Sequence, residues 1–199
     1  MKVAKGFTLI ELVIVMGLIA ILSAIAIPVF LRYRMRSKFA EMPVNIQALF
    51  KAEESMRQSE RLIPSSLSGG PSRTGEYFGT GELPRACGGR PGAARQEWMP
   101  SDRAMAGAVD WTVEGSTYGC YNSAVNQGSG SPFGTQVTIW ALSDLDGDGE
   151  LACVALYKPM AGLDGSIAVA PPSPPQPCGA GDTIGPFAQL RRFPGEETY

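Results

Sequence analysis

Four carboxylates alternate within residues 144–150 and are the chain's most concentrated chemistry: Asp144, Asp146, Asp148 and Glu150. Oxygen ligands at the first, third and fifth positions of a loop, with glycine at the sixth, are typical of a Ca²⁺ loop. The twelfth position, which should supply a bidentate carboxylate, is Ala155, so an EF-hand is excluded. Asp and Gly also favour a plain hairpin turn. Both interpretations, a Ca²⁺ site and a turn, remain open.

The composition limits other chemistry. The chain has no His, so a Ser-His-Asp triad and a zinc site built on imidazole are both excluded. No phosphate-binding loop or nucleophile-base pair is present, and we do not expect an enzyme. The 17 Lys and Arg against 19 Asp and Glu give a net charge of -2, which favours no nucleic acid over the whole surface. Arg85, Arg90 and Arg95 leave two hypotheses open, a local DNA- or surface-binding loop and a solvated face.

The 4 cysteines are widely spaced, at Cys87, Cys120, Cys153 and Cys178. This spacing does not match a metal-binding knuckle. An even number of cysteines after an apolar N-terminal segment predicts two disulfides in an oxidising compartment, with buried thiols in the cytosol as the alternative. Four cysteines allow three pairings, of which we predict Cys87 with Cys120 and Cys153 with Cys178.

The elements that position these residues begin with an apolar N-terminal segment. Residues 12–31 contain no charge, and as a helix they would span about 30 Å, the hydrocarbon thickness of a bilayer. Lys2 and Lys5 precede the segment, and four cations follow it: Arg32, Arg34, Arg36 and Lys38. A positive-inside count would keep the rest of the chain in the cytosol, whereas the cysteines favour an oxidising compartment.

Two general hypotheses explain part of this segment. A cleaved secretory signal agrees with the basic start and with the small residues Ala24 and Ala26. A single-pass anchor explains the length but not Glu11, since a carboxylate within hydrocarbon costs up to about 2.5–3.5 kcal/mol at full depth. An unpaired anion at this position requires a partner.

A third and more specific hypothesis comes from residues 5–12, Lys-Gly-Phe-Thr-Leu-Ile-Glu-Leu, which closely resemble the processing site of type IV prepilins. The similarity continues through Pro28 and covers about the first 55 residues. In that family a membrane aspartyl protease, the prepilin peptidase, cuts after the glycine and methylates the new N-terminus. The resemblance implies a leader peptide at residues 1–6, cleavage between Gly6 and Phe7, N-methylation of Phe7, and a periplasmic location for the residues beyond the helix.

The resemblance also implies which residues assemble the filament. Glu11 is the family's acid, fifth from the new N-terminus. The protonated amine of Phe7 on a neighbouring subunit would pair with it in a low dielectric and fix the register between subunits. Gly17 and Pro28 match the stretch of helix that loosens in the family's assembled filament.

The rest of the chain predicts an α+β fold. We expect one helix from Phe7 to about Gln58, with a transmembrane and filament-core half at residues 7–31 and an amphipathic half at 32–58. Kinks or local unwinding are expected at Pro28 and Pro43. One apolar stripe marks the face that docks on the rest of the chain: Phe39, Met42, Ile46, Leu49, Phe50 and Met56.

Residues 59–199, called the head below, begin with a Gly/Pro-rich connecting loop at 59–107. An antiparallel four-stranded sheet is predicted within 108–158, with strands at 108–113, 117–121, 136–142 and 151–157. A C-terminal loop region follows at 159–199. Its proline run, residues 171–177, predicts either a stiff strap or a recognition motif. A long helix packed on such a sheet is a pilin-like roll.

The resemblance implies a structural subunit of a type IV pilus filament, major or minor, that supports adhesion, motility or DNA uptake. Its partners would be further copies or other pilins in a helical filament, the prepilin peptidase and an inner-membrane assembly platform. It would span the inner membrane once before assembly and lie in a cell-surface pilus afterwards. Alternatives are a pseudopilin of a type II secretion system and a minor pilin that binds ligands at the filament tip. This function requires no cofactor.

Overall fold

A computed structural model describes residues 6–69, 71, 73–126, 133–158, 160–161, 167–169, 178 and 189–192. The most prominent element is a long N-terminal helix in two parts, α1 (Leu9–Phe39) and α2 (Glu41–Gln58). Ala40 separates the two parts and keeps a right-handed helical conformation. The predicted long helix is thus confirmed. Most of the predicted leader and the whole proline run lie outside the described residues.

The two prolines behave differently. α1 runs through Pro28 without interruption. Pro43 lies in the first turn of α2, where a backbone N–H has no acceptor within the helix, so its missing donor is tolerated. The interruption of the long helix therefore lies near Pro43 and not at Pro28.

α2 packs its apolar face on the head. The buried residues of the predicted stripe are Phe39, Met42, Ile46, Leu49 and Met56. Phe50 is half-buried at the edge of the stripe, with Nζ of Lys158 5.9 Å from its ring centroid. These residues and the inner face of the sheet form one core, so the head cannot be separated from α2 without exposing it.

The main sheet has five antiparallel strands in the described part of the chain: β2 (Gly81–Leu83), β3 (Cys120–Val125), β5 (Val137–Ser143), β6 (Ala152–Lys158) and β9 (Gln189–Arg192). Their order in the sheet is β2-β3-β5-β6-β9. β1 (Tyr77–Phe78) pairs with β4 (Phe133–Gly134), and β7 (Met160–Ala161) pairs with β8 (Ile167–Val169). The α+β class is confirmed, with one strand more in the main sheet than the four predicted.

The predicted strand at residues 108–113 is wrong. A helix, α4 (Pro100–Ala108), ends there, and the chain turns back so that the N–H of Trp111 donates to the carbonyl of Ala106 at 3.0 Å. Asp110 within this turn has a φ of 59°, which no strand allows. Val109 and Trp111 alternate with polar residues as in a strand, but here both are buried beside the end of the helix.

The predicted connecting loop contains regular structure. Besides β1, β2 and α4, it holds the short helix α3 (Ser65–Ser68) and a 3₁₀ turn at Arg85–Cys87. The strand predicted at 117–121 begins later, at Cys120, and Thr117 instead forms an isolated bridge with Gln96. β9 lies in the region predicted as C-terminal loop.

Two disulfides close the head, and they follow the predicted pairing. Cys87 on the 3₁₀ turn is joined to Cys120 on β3, with the Cα atoms 6.1 Å apart. Cys153 on β6 is joined to Cys178, with the Cα atoms 5.6 Å apart. Each bridge therefore fastens a cysteine outside the sheet to one of the inner strands of the sheet.

Glu53 is a fully buried carboxyl group within the apolar stripe. Its Oε2 accepts a hydrogen bond from the N–H of Phe78 at 3.0 Å, and its Oε1 accepts one from Oγ of Ser123 at 3.1 Å. Burial raises the pKa of Glu53 to about 8, although both hydrogen bonds act in the opposite direction. This one side chain links α2 to both β1 and β3.

Stability should therefore depend on the ionisation of Glu53. The pKa of this group is higher in the folded chain than its ordinary value of 4.5, so the folded state binds the extra proton between those two pH values. Its contribution is complete below pH 4.5 and is lost as pH rises to about 8, with a slope of up to about 1.4 kcal/mol per pH unit. In thermal or denaturant unfolding, Glu53→Gln should lack this slope. Glu60→Gln, at an exposed residue of the same helix end, should retain it, and equal slopes in both variants would contradict the assignment.

Candidate functional site at the start of the long helix

Thr8 and Glu11 fix the start of α1. The N–H of Glu11 donates to Oγ1 of Thr8 at 3.3 Å, and Oε2 of Glu11 accepts from the N–H of Thr8 at 2.9 Å and from its hydroxyl at 2.6 Å. This is a capping box, in which two helix-end donors are satisfied reciprocally. The pattern Thr8-x-x-Glu11 before an apolar run signals this cap in the sequence, although Thr8 was not among the predicted site residues.

The predicted cleavage site lies just outside this cap. Gly6 and Phe7 precede the helix, and the side chain of Phe7 is 76% exposed. A Cβ atom added to Gly6 would meet no other atom within 4 Å. Exposed chain without regular structure is what a protease can take into its active site. Cutting at this bond would leave Thr8, Glu11 and their hydrogen bonds in the mature chain.

Glu11 has no cationic partner among the described residues. The ion pairs found there involve Glu54, Asp110 and Glu76 instead. The hydrogen bonds of the capping box use only Oε2, and Glu11 is exposed, so Oε1 can accept from a group outside the chain. The structure therefore brings Glu11 together with Thr8 and leaves the predicted intermolecular pair to be tested.

The first part of α1, residues 9–31, is apolar on every side apart from Glu11. It belongs to the one helical stretch, Leu9–Gln58, that is long and apolar enough to cross a membrane within the described residues. None of its most apolar part is buried against the rest of the chain. Gly17 lies in this segment, and a Cβ there would meet nothing within 4 Å. Glycine inside a helix costs about 1 kcal/mol relative to alanine. Since an alanine would fit at this position, packing within one chain does not explain why residue 17 is a glycine.

The acidic loop forms the turn between β5 and β6. Carboxylate oxygens of Asp144, Asp146 and Asp148 lie within 4.8 Å of one another, and Glu150 lies outside this group. The carboxylate of Asp144 accepts from the N–H of Gly147 at 2.7 Å and from that of Gly149 at 3.2 Å. Both glycines have a φ above 80°, which permits the tight turn. Three of the four predicted ligands therefore converge.

Comparison with known proteins addresses the N-terminal segment. Residues 1–27 match the family model described as the prokaryotic N-terminal methylation motif. Over 51 residues the chain is 53% identical to the type IV major pilin protein PilA of Myxococcus xanthus, which covers 26% of this chain and 23% of that protein. Over 68 residues it is 46% identical to a fimbrial protein of Pseudomonas aeruginosa, which covers 34% of this chain and 44% of that protein. No solved structure is a significant match to the chain.

The chain therefore spans less than half the length of the curated relatives it matches. The matched part is the part with the capping box, the exposed Gly6-Phe7 bond and the apolar helix. The fold is compatible with the motif, since methylation requires a free N-terminus and the predicted cleavage site lies outside the helix. The N-terminal part of this chain thus carries the prokaryotic N-terminal methylation motif and is similar to the same part of a type IV major pilin and of a fimbrial protein.

Proposed function

We propose that the chain is a structural subunit of a type IV pilus filament. α1 anchors it in the inner membrane before assembly and then packs in the filament interior, and the head forms the outer surface. The observation that carries the proposal is the unburied apolar half of α1, which begins at a capped carboxylate.

A helix that is apolar on all sides must be buried on all sides, in lipid or in protein. Lipid provides this burial for a single subunit. In a filament, the apolar parts of α1 from several copies can cover one another. The exposed apolar side chains occur on all faces of this part, so no face of it packs on the head of the same chain. The amphipathic α2 is already covered on one side by the sheet, so it holds the head at the outer end of the helix.

Glu11 supplies the register. In the filament interior its charge would be costly unless an opposite charge reached it. The amine that cleavage creates on Phe7 of a neighbouring copy has that charge, and the capping box leaves Oε1 of the exposed Glu11 to receive it. Removing one member of a buried pair typically costs about 3–5 kcal/mol, so the pair selects one stagger between helices.

The proposed orientation places the head in the periplasm. The support is the pair of disulfides, which persist in an oxidising compartment. The prepilin peptidase and the inner-membrane assembly platform are the partners that this route requires. No reaction is proposed for the chain itself.

Major pilin, minor pilin, tip-located binding module and pseudopilin share this N-terminal chemistry. Their difference is abundance and location. A sheared surface filament composed mainly of this chain supports the major subunit, a trace amount supports a minor one, and restriction to a secretion machine supports the pseudopilin.

Replacement of Glu11 tests the filament proposal. We expect Glu11→Ala to be cleaved and inserted in the membrane as the original chain is, and to be at least 100-fold depleted from sheared filaments, as the loss of about 3 kcal/mol or more requires. Mass spectrometry of the membrane-bound pool should show a chain that begins at methylated Phe7 in both.

Two controls separate charge pairing from helix capping. Thr8→Ala removes the hydroxyl but keeps the carboxylate, so it should assemble with a moderate loss. Glu114→Ala, at an exposed residue of the head, should assemble normally. Wild-type amounts of Glu11→Ala in filaments, or an unprocessed N-terminus in the original chain, would refute the proposal.

We also propose that the acidic turn binds Ca²⁺ through Asp144, Asp146 and Asp148. The support is their convergence within 4.8 Å, since like charges this close favour a hard cation. The alternative is a plain turn in which the backbone donors of Gly147 and Gly149 offset the charge of Asp144.

Limited proteolysis with and without metal distinguishes the two. If Ca²⁺ binds, cleavage in residues 144–150 should slow as Ca²⁺ rises through about 10⁻⁴–10⁻³ M, the range of extracellular sites. Mg²⁺ should protect less. Asp146→Asn should abolish the protection and Glu150→Gln should keep most of it, whereas identical cleavage under all conditions supports the plain turn.

A further inference from the structure

Cations gather where α1 leaves its apolar segment. Arg32 follows the last residue of the uncharged run, and the cations continue every second residue: Arg32, Arg34, Arg36 and Lys38. The first acid after them is Glu41. From Arg32 to Lys38 the helix rises about 9 Å. That is close to the depth of one headgroup layer, about 5–8 Å, which begins where the hydrocarbon ends.

The head adds a fifth cation to this group. Tyr118 precedes β3, and its ring centroid lies 4.9 Å from Nζ of Lys38 and 4.7 Å from Cζ of Arg95. Arg95 also donates to the carbonyl of Ser116 at 3.1 Å, which holds the guanidinium in place. A hydrogen bond from Arg95 lowers the pKa of the Tyr118 hydroxyl, and the charges of Lys38 and Arg34 act in the same direction. Lys38 and Arg34 of the helix and Arg95 of the head thus lie around one ring.

Within the part of the chain that the structure describes, none of these five cations forms an ion pair. The ion pairs of the described residues use Arg57, Arg61 and Arg73. Oε1 of Glu41 already accepts from the N–H of Tyr118 and from the hydroxyl of Tyr121, both at 3.2 Å. The rest of the chain carries 12 Lys and Arg against 19 Asp and Glu, so the positive charge is concentrated at this end of the head. Such a surface fits an anionic partner.

The position of the group indicates which anion. With the head in the periplasm, the four helix cations lie on the flank that membrane proteins usually keep poor in Lys and Arg. Topology therefore disfavours them, and another interaction has to account for them. The group adjoins the membrane segment directly, and Tyr33 within it is 74% exposed, as suits an aromatic ring at a membrane interface.

We propose that this basic collar, formed by Arg32, Arg34, Arg36, Lys38 and Arg95 beside Tyr118, binds the phosphate groups of anionic phospholipids while the subunit waits in the membrane. The inference rests on the proposed function, because it requires α1 in a bilayer with the head beside the collar. Arginine guanidinium groups suit phosphate because they can donate two parallel hydrogen bonds.

Arg95 makes the collar more than a charged helix flank. It comes from the head, so a phosphate bound between it and Lys38 contacts the head and α1 at once. A head held in this way has one orientation relative to the bilayer surface. Each collar cation is expected to change binding to an anionic surface about five-fold, the equivalent of about 1 kcal/mol.

Lipid selectivity of the full chain in nanodiscs tests the collar. The nanodiscs consist of phosphatidylcholine with a small fraction of either dansyl-labelled phosphatidylglycerol or dansyl-labelled phosphatidylcholine. Energy transfer from the tryptophans of the head reports which lipid collects beside it. We expect stronger transfer to phosphatidylglycerol, a decline of that preference with added salt, and at least a five-fold weaker preference in the Lys38→Gln/Arg95→Gln double variant.

Matched variants guard against a change in folding. Arg73→Gln removes an exposed head cation that faces Glu76 and should leave the preference unchanged. Arg34→Gln/Arg36→Gln alters exposed helix positions only and should weaken the preference, while Arg95→Lys should keep most of it.

Two results would overturn the proposal: equal transfer to both lipids by the original chain, or an unchanged preference in both double variants. If variants with an unchanged preference also fail to enter filaments, the collar is assigned instead to acidic groups of a neighbouring copy. Because nanodiscs contain no filament, failure here leaves the Glu11→Ala test of the filament proposal standing, and failure of that test leaves this one standing.

Discussion

The apolar part of α1, residues 9–31, is not stable in contact with water, and this constraint decides where the chain can exist. Burying one large aliphatic side chain contributes about 1.5–3 kcal/mol, and the residues from Leu9 to Leu31 expose many of them. A handful of such side chains already reaches the roughly 5–15 kcal/mol by which a domain is typically stable, so their sum exceeds that stability. The apolar segment therefore needs lipid or other copies of itself even when the head is perfectly folded.

The head depends on the same helix in a different way. After Ala40 the apolar residues narrow to one face, and this face completes the core of the sheet. Polar contacts then fix how α2 lies on it. Glu53 reaches β1 and β3, and Asn45 donates to the hydroxyl of Tyr121 at 2.7 Å. A force or displacement applied to α1 is therefore transmitted into the sheet through a buried core and not through a flexible linker.

Local sequence patterns predicted those elements that can be identified without knowing what they pair with. The stripe on α2 follows from helical periodicity, because one face had to be buried, whereas the long apolar helix and the strands β5 and β6 follow from runs of apolar residues. Both strands are buried almost throughout. β2 and β9 were missed because they are short and lie at the edges of the sheet, so their pairing with β3 and β6 carries no alternating signal of their own. Residues 108–113 misled for the opposite reason, since Val109 and Trp111 alternate but Asp110 turns the chain.

The candidate site was predictable in part. The motif around Gly6 and Glu11 was visible, and so was the alternation of Asp144, Asp146 and Asp148. The burial of Glu53 was not, because its helix position looks like any other solvated Glu until β1 and β3 close over it. The proximity of Arg95 to Lys38 was equally hidden, since the two are joined only through the fold around Tyr118.

Charge at the two ends of the apolar segment connects these observations. Glu11 and Arg32 are separated by about 32 Å of helix, close to the hydrocarbon thickness of a bilayer. In the proposed orientation the carboxylate lies at the cytoplasmic surface and the collar at the periplasmic one, so both charges stay in polar surroundings and fix the depth of the helix. When the subunit moves into a filament, Glu11 and the collar both lose the polar surroundings of the membrane surfaces. Glu11 must then find a cation inside an apolar bundle, whereas the collar needs only anions at the surface. The acid therefore imposes the stricter geometric condition on assembly, and the collar acts against leaving the membrane until that condition is met.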